Sequence, residues 1–337
     1  MASIINTVRA TVLSIANKNN YGYITPNDFN LYAKQAQLDI FEDYFYQYNS
    51  WIVKQNARVS GSNYADIIKG LVEVIDSFSS TKGLINTGIN LFDLPSDYYL
   101  IDKINYYPNI TAAGTLTFGS IGNILNDAAA NFFGLVGGSI PVKPGMLITN
   151  TTGGGIYSGG SAFVVSVDSN TQLTISTNDF FTGLFGDTSY AILSTKGITE
   201  IERVSQNKIF YLNSSPLTTP GLSFPAYVLG GANNINTGNT ITVYPESITT
   251  AGTVVSQYIR YPKDPNWTYA TLAAGEPLFD ESAVDYQDFE LPLSDQVNLI
   301  NKILQYAGMS IREISLTQFG QAQEKMDDSQ ESPNLTS

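Results

Sequence analysis

The chain has 337 residues, of which 43% are hydrophobic and only 14% charged, and its net charge is −13. That length admits two or three domains with a sizeable core, and so acidic a chain does not grip nucleic acid by neutralising phosphates. Cysteine and histidine are both absent, which excludes disulfides, thiolate or imidazole metal sites, cysteine nucleophiles and Ser-His-Asp triads.

Ile5, Val8, Val12 and Ile15 recur at helical spacing and predict a first helix over residues 3–18, ended by Asn19-Asn20-Tyr21-Gly22. Thr25-Pro26-Asn27-Asp28 predicts a helix start: threonine as cap, proline at the first helical position and an acid three residues on. Phe29, Tyr32, Ala33, Ala36 and Ile40 follow on one face, and the pattern reaches about Asn49. A third helix is predicted at 63–78, from Tyr64, Ile67, Leu71, Ile75 and Phe78.

The period then shortens. Ile101, Ile104 and Tyr106 alternate, and residues 111–195 are rich in Gly, Thr, Ser and Asn. Strands are predicted at Met146–Asn150, Ala162–Asp168, Gln172–Ser176 and Ser189–Leu193, with Asp168-Ser169-Asn170-Thr171 as a hairpin turn. Further strands are predicted at Ile198–Val204, Lys208–Leu212, Ala226–Leu229, Thr240–Tyr244 and Val254–Tyr261. A helix capped by Ser294 carries Val297, Ile300, Ile303, Leu304 and Ala307, and Gly308 is placed to end it. Ser310-Ile311-Arg312-Glu313 is a capping box for a last helix toward Lys325, and residues 327–337 form an acidic tail expected to be mobile outside a complex. The fold class expected is α+β: a discontinuous helical/β domain from 1–110 and 196–337, with a small β-barrel or sandwich inserted at 111–195.

Gly153-Gly154-Gly155 and Gly159-Gly160 lack the lysine and following helix of a phosphate cradle, and read as a loop. Asp280, Glu281, Asp285, Asp288 and Glu290 do not match the spacing of a calcium loop, and read as a solvated acidic segment. From Glu276 to the end there are twelve acids against three bases, so many copies side by side would create a strong negative field. Trp267 lies in the proline-punctuated loop Pro262–Trp267, either as an exposed interface anchor or as a clamp of the loop onto its own domain. No run of about 18 apolar residues exists to span a membrane, and the start lacks the pattern of a secretory signal.

Several segments resemble the ring, or head-to-tail adaptor, proteins of short-tailed bacteriophages, especially crAss-like phages. They are Ile24–Phe29, Asp93–Tyr99, Ile201–Val204, Ser215–Thr218, Pro225–Tyr227, Val243–Pro245, Tyr258–Pro262 and Phe289–Pro292, with Val142–Ile148 and Val165–Asp168 in the inserted block. The resemblance implies a non-enzymatic virion protein, made in the host cytoplasm and placed at the head–tail junction, with no cofactor. It implies a homo-oligomeric, twelve-fold ring that docks on the portal and on a neighbouring tail ring or tail-barrel protein. DNA would pass through without sequence-specific binding. Tyr258, Arg260 and Phe289, inside the matching segments, join Trp267 as interface candidates. The large β content departs from the smaller helical members. The alternative reading is a tail host-attachment or glycan-binding protein that uses the β block; a carboxylate-dependent glycosidase is a third.

Overall fold

The computed structural model describes residues 4–16, 24–57, 65–117, 120, 122–134, 141–152, 160–177, 189–230, 240–272 and 276–311. Its chain is mixed α+β and divides into two compact units: residues 1–78 with 261–337, and residues 79–260. The six strands of the block expected at 111–195 lie within 110–193 and belong to the second unit, which begins earlier, at Ser79, and ends later, at Arg260.

In the first unit, α1 (Ile4–Ala16), α2 (Pro26–Ala57), α3 (Ala65–Ser77) and α5 (Gln296–Ile311) pack together. The α2 start follows its sequence signal. Asp28 N–H donates to Thr25 Oγ1 at 3.2 Å, and Thr25 Oγ1 donates to Asp28 Oδ2 at 2.6 Å. Thr25→Ala is expected to cost about 1 kcal/mol in thermal unfolding, the usual weight of a threonine cap. The start of α1 is capped from far along the chain: Asp288 accepts from Ile4 N and Ile5 N at 2.9 and 2.8 Å, placing a carboxylate at the positive end of the helix dipole. Ile5, Val8, Val12, Phe29, Ala33, Phe41, Leu299, Ile303 and Ala307 form the buried side.

Two expectations for the last helices change. A 3-10 turn, Leu293–Asp295, precedes α5 in place of a Ser294 cap. The helix then runs through Gly308 to Ile311, because Leu304 and Ala307 are buried in its last turns and the packing carries it past the glycine. The separate last helix expected from the Ser310–Glu313 box toward Lys325 lies, beyond Ile311, outside the described residues, as do the acidic tail and the loop at 153–159.

The second unit is layered. A four-stranded sheet is ordered β1 (Ser79–Gly83), β15 (Val254–Arg260), β4 (Tyr98–Tyr106), β11 (Thr199–Glu200). A five-stranded sheet is ordered β12 (Glu202–Arg203), β13 (Ala226–Leu229), β14 (Thr240–Tyr244), β3 (Leu91–Asp93), β2 (Ile85–Asn86). Phe92, Leu94, Ile104, Ile201, Tyr227, Ile241, Val243 and Val254 fill one core, supplied by both sheets. On the other side of β15, Val255 packs with Leu147, Ala191 and Leu193. Successive side chains of a strand point to opposite faces, so Val254 and Val255 serve two cores and β15 is covered on both faces.

Leu147, Ala191 and Leu193 belong to the six-stranded sheet, ordered β5 (Ile110–Thr115), β10 (Ser189–Leu193), β7 (Leu147–Asn150), β8 (Ser161–Ser169), β9 (Gln172–Ile175), β6 (Ile124–Asn126). Its opposite face buries Leu125, Phe132, Ile148, Val164, Leu173, Ile175 and Tyr190. Of the barrel or sandwich expected here, a closed barrel is not seen among the described residues. The edge strands β5 and β6 do not pair as strands; just beyond β5, Thr117 N–H donates to Asn126 O at 2.8 Å. The predicted turn at 168–171 stands between β8 and β9, where Asp168 accepts from Ser166 and Thr174 hydroxyls at 2.7 and 2.6 Å. Those bonds hold its carboxyl below the usual range.

Candidate interaction surface

Residues 208–212, read as a strand from the sequence, are helical: α4 spans Gln206–Asn213. Ser205 caps it by accepting from Lys208 N–H, a local bond that alternation of side chains does not register. Only Ile209 of this helix is buried, against Val204, Ala226 and Val228 on the outer face of the five-stranded sheet. Leu212, half-buried one turn on, packs against the same cluster, and the rest of the helix is outward.

Large apolar side chains of α4 and of the chain after it face outward. Phe210 is 68% exposed, Tyr211 77%, Leu217 93% and Phe224 85%, and Leu222 is also exposed. This knob is not loose. Ser214 Oγ donates to Tyr211 O at 2.7 Å, Thr218 Oγ1 to Leu212 O at 2.9 Å and Thr219 Oγ1 to Ser215 O at 2.7 Å. Gly221 and Phe224 close a further turn. Large apolar side chains are thus held out to solvent on a bonded frame. Between Glu202 and Glu246 the sequence holds no acid, and its only charges are Arg203 and Lys208. The knob itself carries one charge, Lys208, and no acid, in an otherwise acidic chain.

The interface candidates named from the sequence sit differently. Trp267 is buried in the first unit, as the clamp reading has it. Its Nε1 donates to Asn6 Oδ1 at 3.1 Å, and Arg9 lies 3.8 Å above its ring centroid. Asn30 of α2 accepts from Trp267 N at 2.9 Å and donates to Trp267 O at 3.3 Å. Phe289 is also buried, and so is Tyr258, whose hydroxyl donates to Asp97 at 3.1 Å. These three offer no surface to a partner, because each packs inside its own unit. Arg260 is partly exposed, at the end of β15. The sequence reading touched the knob only through Ser215–Thr218, one of the resembling segments; the absence of acids across 203–245 was the physical signal available.

Acids singled out in the sequence serve the first unit. Besides the Asp288 cap, Glu290 accepts from Lys263 N at 2.8 Å, and Tyr44 donates to Asp295. A shallow cleft of about 570 Å³ in this unit is lined by Asn27, Asn30, Lys34, Asp264, Asn266 and Asp285, and is bridged by the Lys34–Asp264 ion pair at 2.6 Å. Among the described residues no group of three or more carboxylates is placed to hold a metal ion.

Tyrosine hydroxyls against carboxylates recur: Tyr44–Asp295, Tyr190–Asp127 and Tyr258–Asp97. In all three, burial first and the nearby carboxylate second raise the phenol well above its ordinary value. A folded-state value above the unfolded one gives stability that is complete below about pH 10 and is lost as pH rises further. Stability measured from pH 9 to 11.5 is therefore expected to fall steeply past pH 10, by up to about 1.4 kcal/mol per pH unit for each tyrosine that must ionise. A flat profile across that range would refute the burial of these hydroxyls.

No helix among the described residues is long and apolar enough to cross a membrane. No protein-family model matches the sequence, and no curated protein matches it significantly.

Proposed function

We propose that the chain is a structural, non-enzymatic subunit of a phage virion: one member of an oligomeric ring between portal and tail that surrounds the DNA passage. The observation that carries this reading is the knob of α4 and residues 214–224. A protein that acts alone gains nothing from presenting Phe210, Tyr211, Leu217 and Phe224 to water on a bonded frame, whereas contiguous exposed apolar surface marks an interaction site. The resemblance of segments between residues 24 and 293 to phage ring proteins supports the same reading. So does the acidic balance: a ring with a negative wall repels phosphates and lets a duplex slide. Few charges and many aromatics suit a chain mostly covered by neighbours.

The test is the mass and negative-stain shape of the purified chain, alone and mixed with the portal of the same phage. A closed ring of about a dozen copies, free or formed on the portal, is the expected result. A stable trimer indifferent to the portal overturns it and favours the host-attachment reading.

A further inference from the structure

We infer that the knob of one copy docks on the outer face of a two-stranded hairpin in the first unit of a second copy. The inference rests on the assembly reading above and names the two surfaces that join. The hairpin is β16 (Tyr269–Thr271) with β17 (Pro277–Phe279), in the register Tyr269↔Phe279 and Ala270↔Leu278. Tyr269 and Phe279 stack on Trp267, with centroids at 5.6 and 5.7 Å. By alternation Ala270 and Leu278 point the other way. Leu278 is 54% exposed and Leu272, just beyond β16, 47%. Val284 is fully exposed nearby in sequence. One face of the hairpin is thus anchored on the buried tryptophan, and the other is apolar and open.

Charge selects the occupant. From Asp264 to Asn301 the sequence has no lysine or arginine. Glu276, Glu281 and Asp285 around the hairpin are exposed. The knob's one charge is Lys208, and it holds no acid. An apolar surface with an acidic rim faces an apolar surface with one lysine and no acid, and both are present on every copy. Area agrees with a real interface. Phe210, Tyr211 and Phe224 at their exposures amount to roughly 450 Å², more than half of the ~800 Å² per partner that a stable interface covers, before Leu217, Leu222 and Lys208 are added. The bonded frame of the knob lowers the ordering cost of docking. The two surfaces differ, so each copy gives a knob and receives one, and the contact passed on from copy to copy builds a ring where its rotation closes; a wild-type assembly that stops at a reciprocal dimer overturns this.

The experiment uses the full chain and measures assembly by native mass spectrometry and sedimentation, with circular dichroism as the check on folding. L217D/F224D, on side chains already in water, and L278D/V284D are each expected to raise the concentration needed for assembly at least tenfold while both stay folded. Mixed together, the two variants retain one intact contact per pair and should stop at dimers. Lys208→Glu should weaken assembly, and Glu281→Lys in the same chain should restore part of it. Rings that form equally well from all variants overturn the docking and leave the ring reading standing. A wild-type chain that stays monomeric, with and without portal, overturns both. Mixed variants that regain complete rings overturn the head-to-tail pairing.

Discussion

Trp267→Ala is expected to lower the stability of the first unit by about 3–5 kcal/mol, the range for deleting a large buried aromatic. Its ring holds Tyr269 and Phe279 of the hairpin by stacking, and Arg9 of α1 lies on the ring. Its backbone is gripped by Asn30 of α2. Removing the ring leaves a cavity between two helices and the hairpin, with a guanidinium deprived of its aromatic face. Trp267→Phe keeps most of the area and loses the Nε1 bond to Asn6, so about 1–2 kcal/mol is expected. Chemical denaturation followed by far-ultraviolet circular dichroism is the right measurement. Four of the five helices among the described residues belong to this unit. A helical transition unmoved by the alanine would contradict the clamp.

Gly114→Ala is the second large effect, near 3 kcal/mol, in the second unit. A Cβ at position 114 would lie 2.1 Å from Asp127 Oδ2 and 3.0 Å from the Tyr190 hydroxyl. Asp127 is itself buried, receiving the Tyr190 hydroxyl at 2.7 Å and Ala129 N–H at 2.9 Å. The methyl must push the carboxylate off its donors or part β5 from β10, where Gly114 pairs with Tyr190. Overpacking and a broken buried hydrogen bond then add. Gly70→Ala is the opposite case. Its Cβ meets nothing within 4 Å, and α3 should gain about 0.5–1 kcal/mol from the better helix former. Thermal melts of the two variants should move in opposite directions.

Much of the local structure was legible because its causes are local. The Thr25–Asp28 box opens α2, and the strands predicted between 146 and 193 reappear within a residue or so as β7 to β10. Helix α4 was read as a strand because its inward face is only Ile209 and Leu212, and the apolar yet exposed Phe210 and Tyr211 between them hide the helical period. Sheet order was beyond reach, since β1 pairs with β15 across some 175 positions of chain. Such pairings are chosen by shared cores rather than by neighbours in sequence. Trp267 illustrates the same limit for the candidate site. Its prolines mark a loop, but its burial depends on Asn6, Arg9 and Asn30, more than two hundred positions away. The knob was obscured for the reverse reason: its apolar residues resemble core residues until the structure leaves them uncovered.

The chain enters the second unit at Ser79 and leaves it at Arg260, on strands paired Ser79↔Ile259. On the first unit's side of the same crossings, Phe78 and Tyr261 both rest on Phe41. Adjacent ends are the arrangement in which one folded module can be carried within another. They also fix how the second unit responds to tension. A pull transmitted through its two ends acts across β1 and β15 rather than along them, so their ladder is loaded one pair at a time, beginning at Ser79–Ile259, like the teeth of a zip.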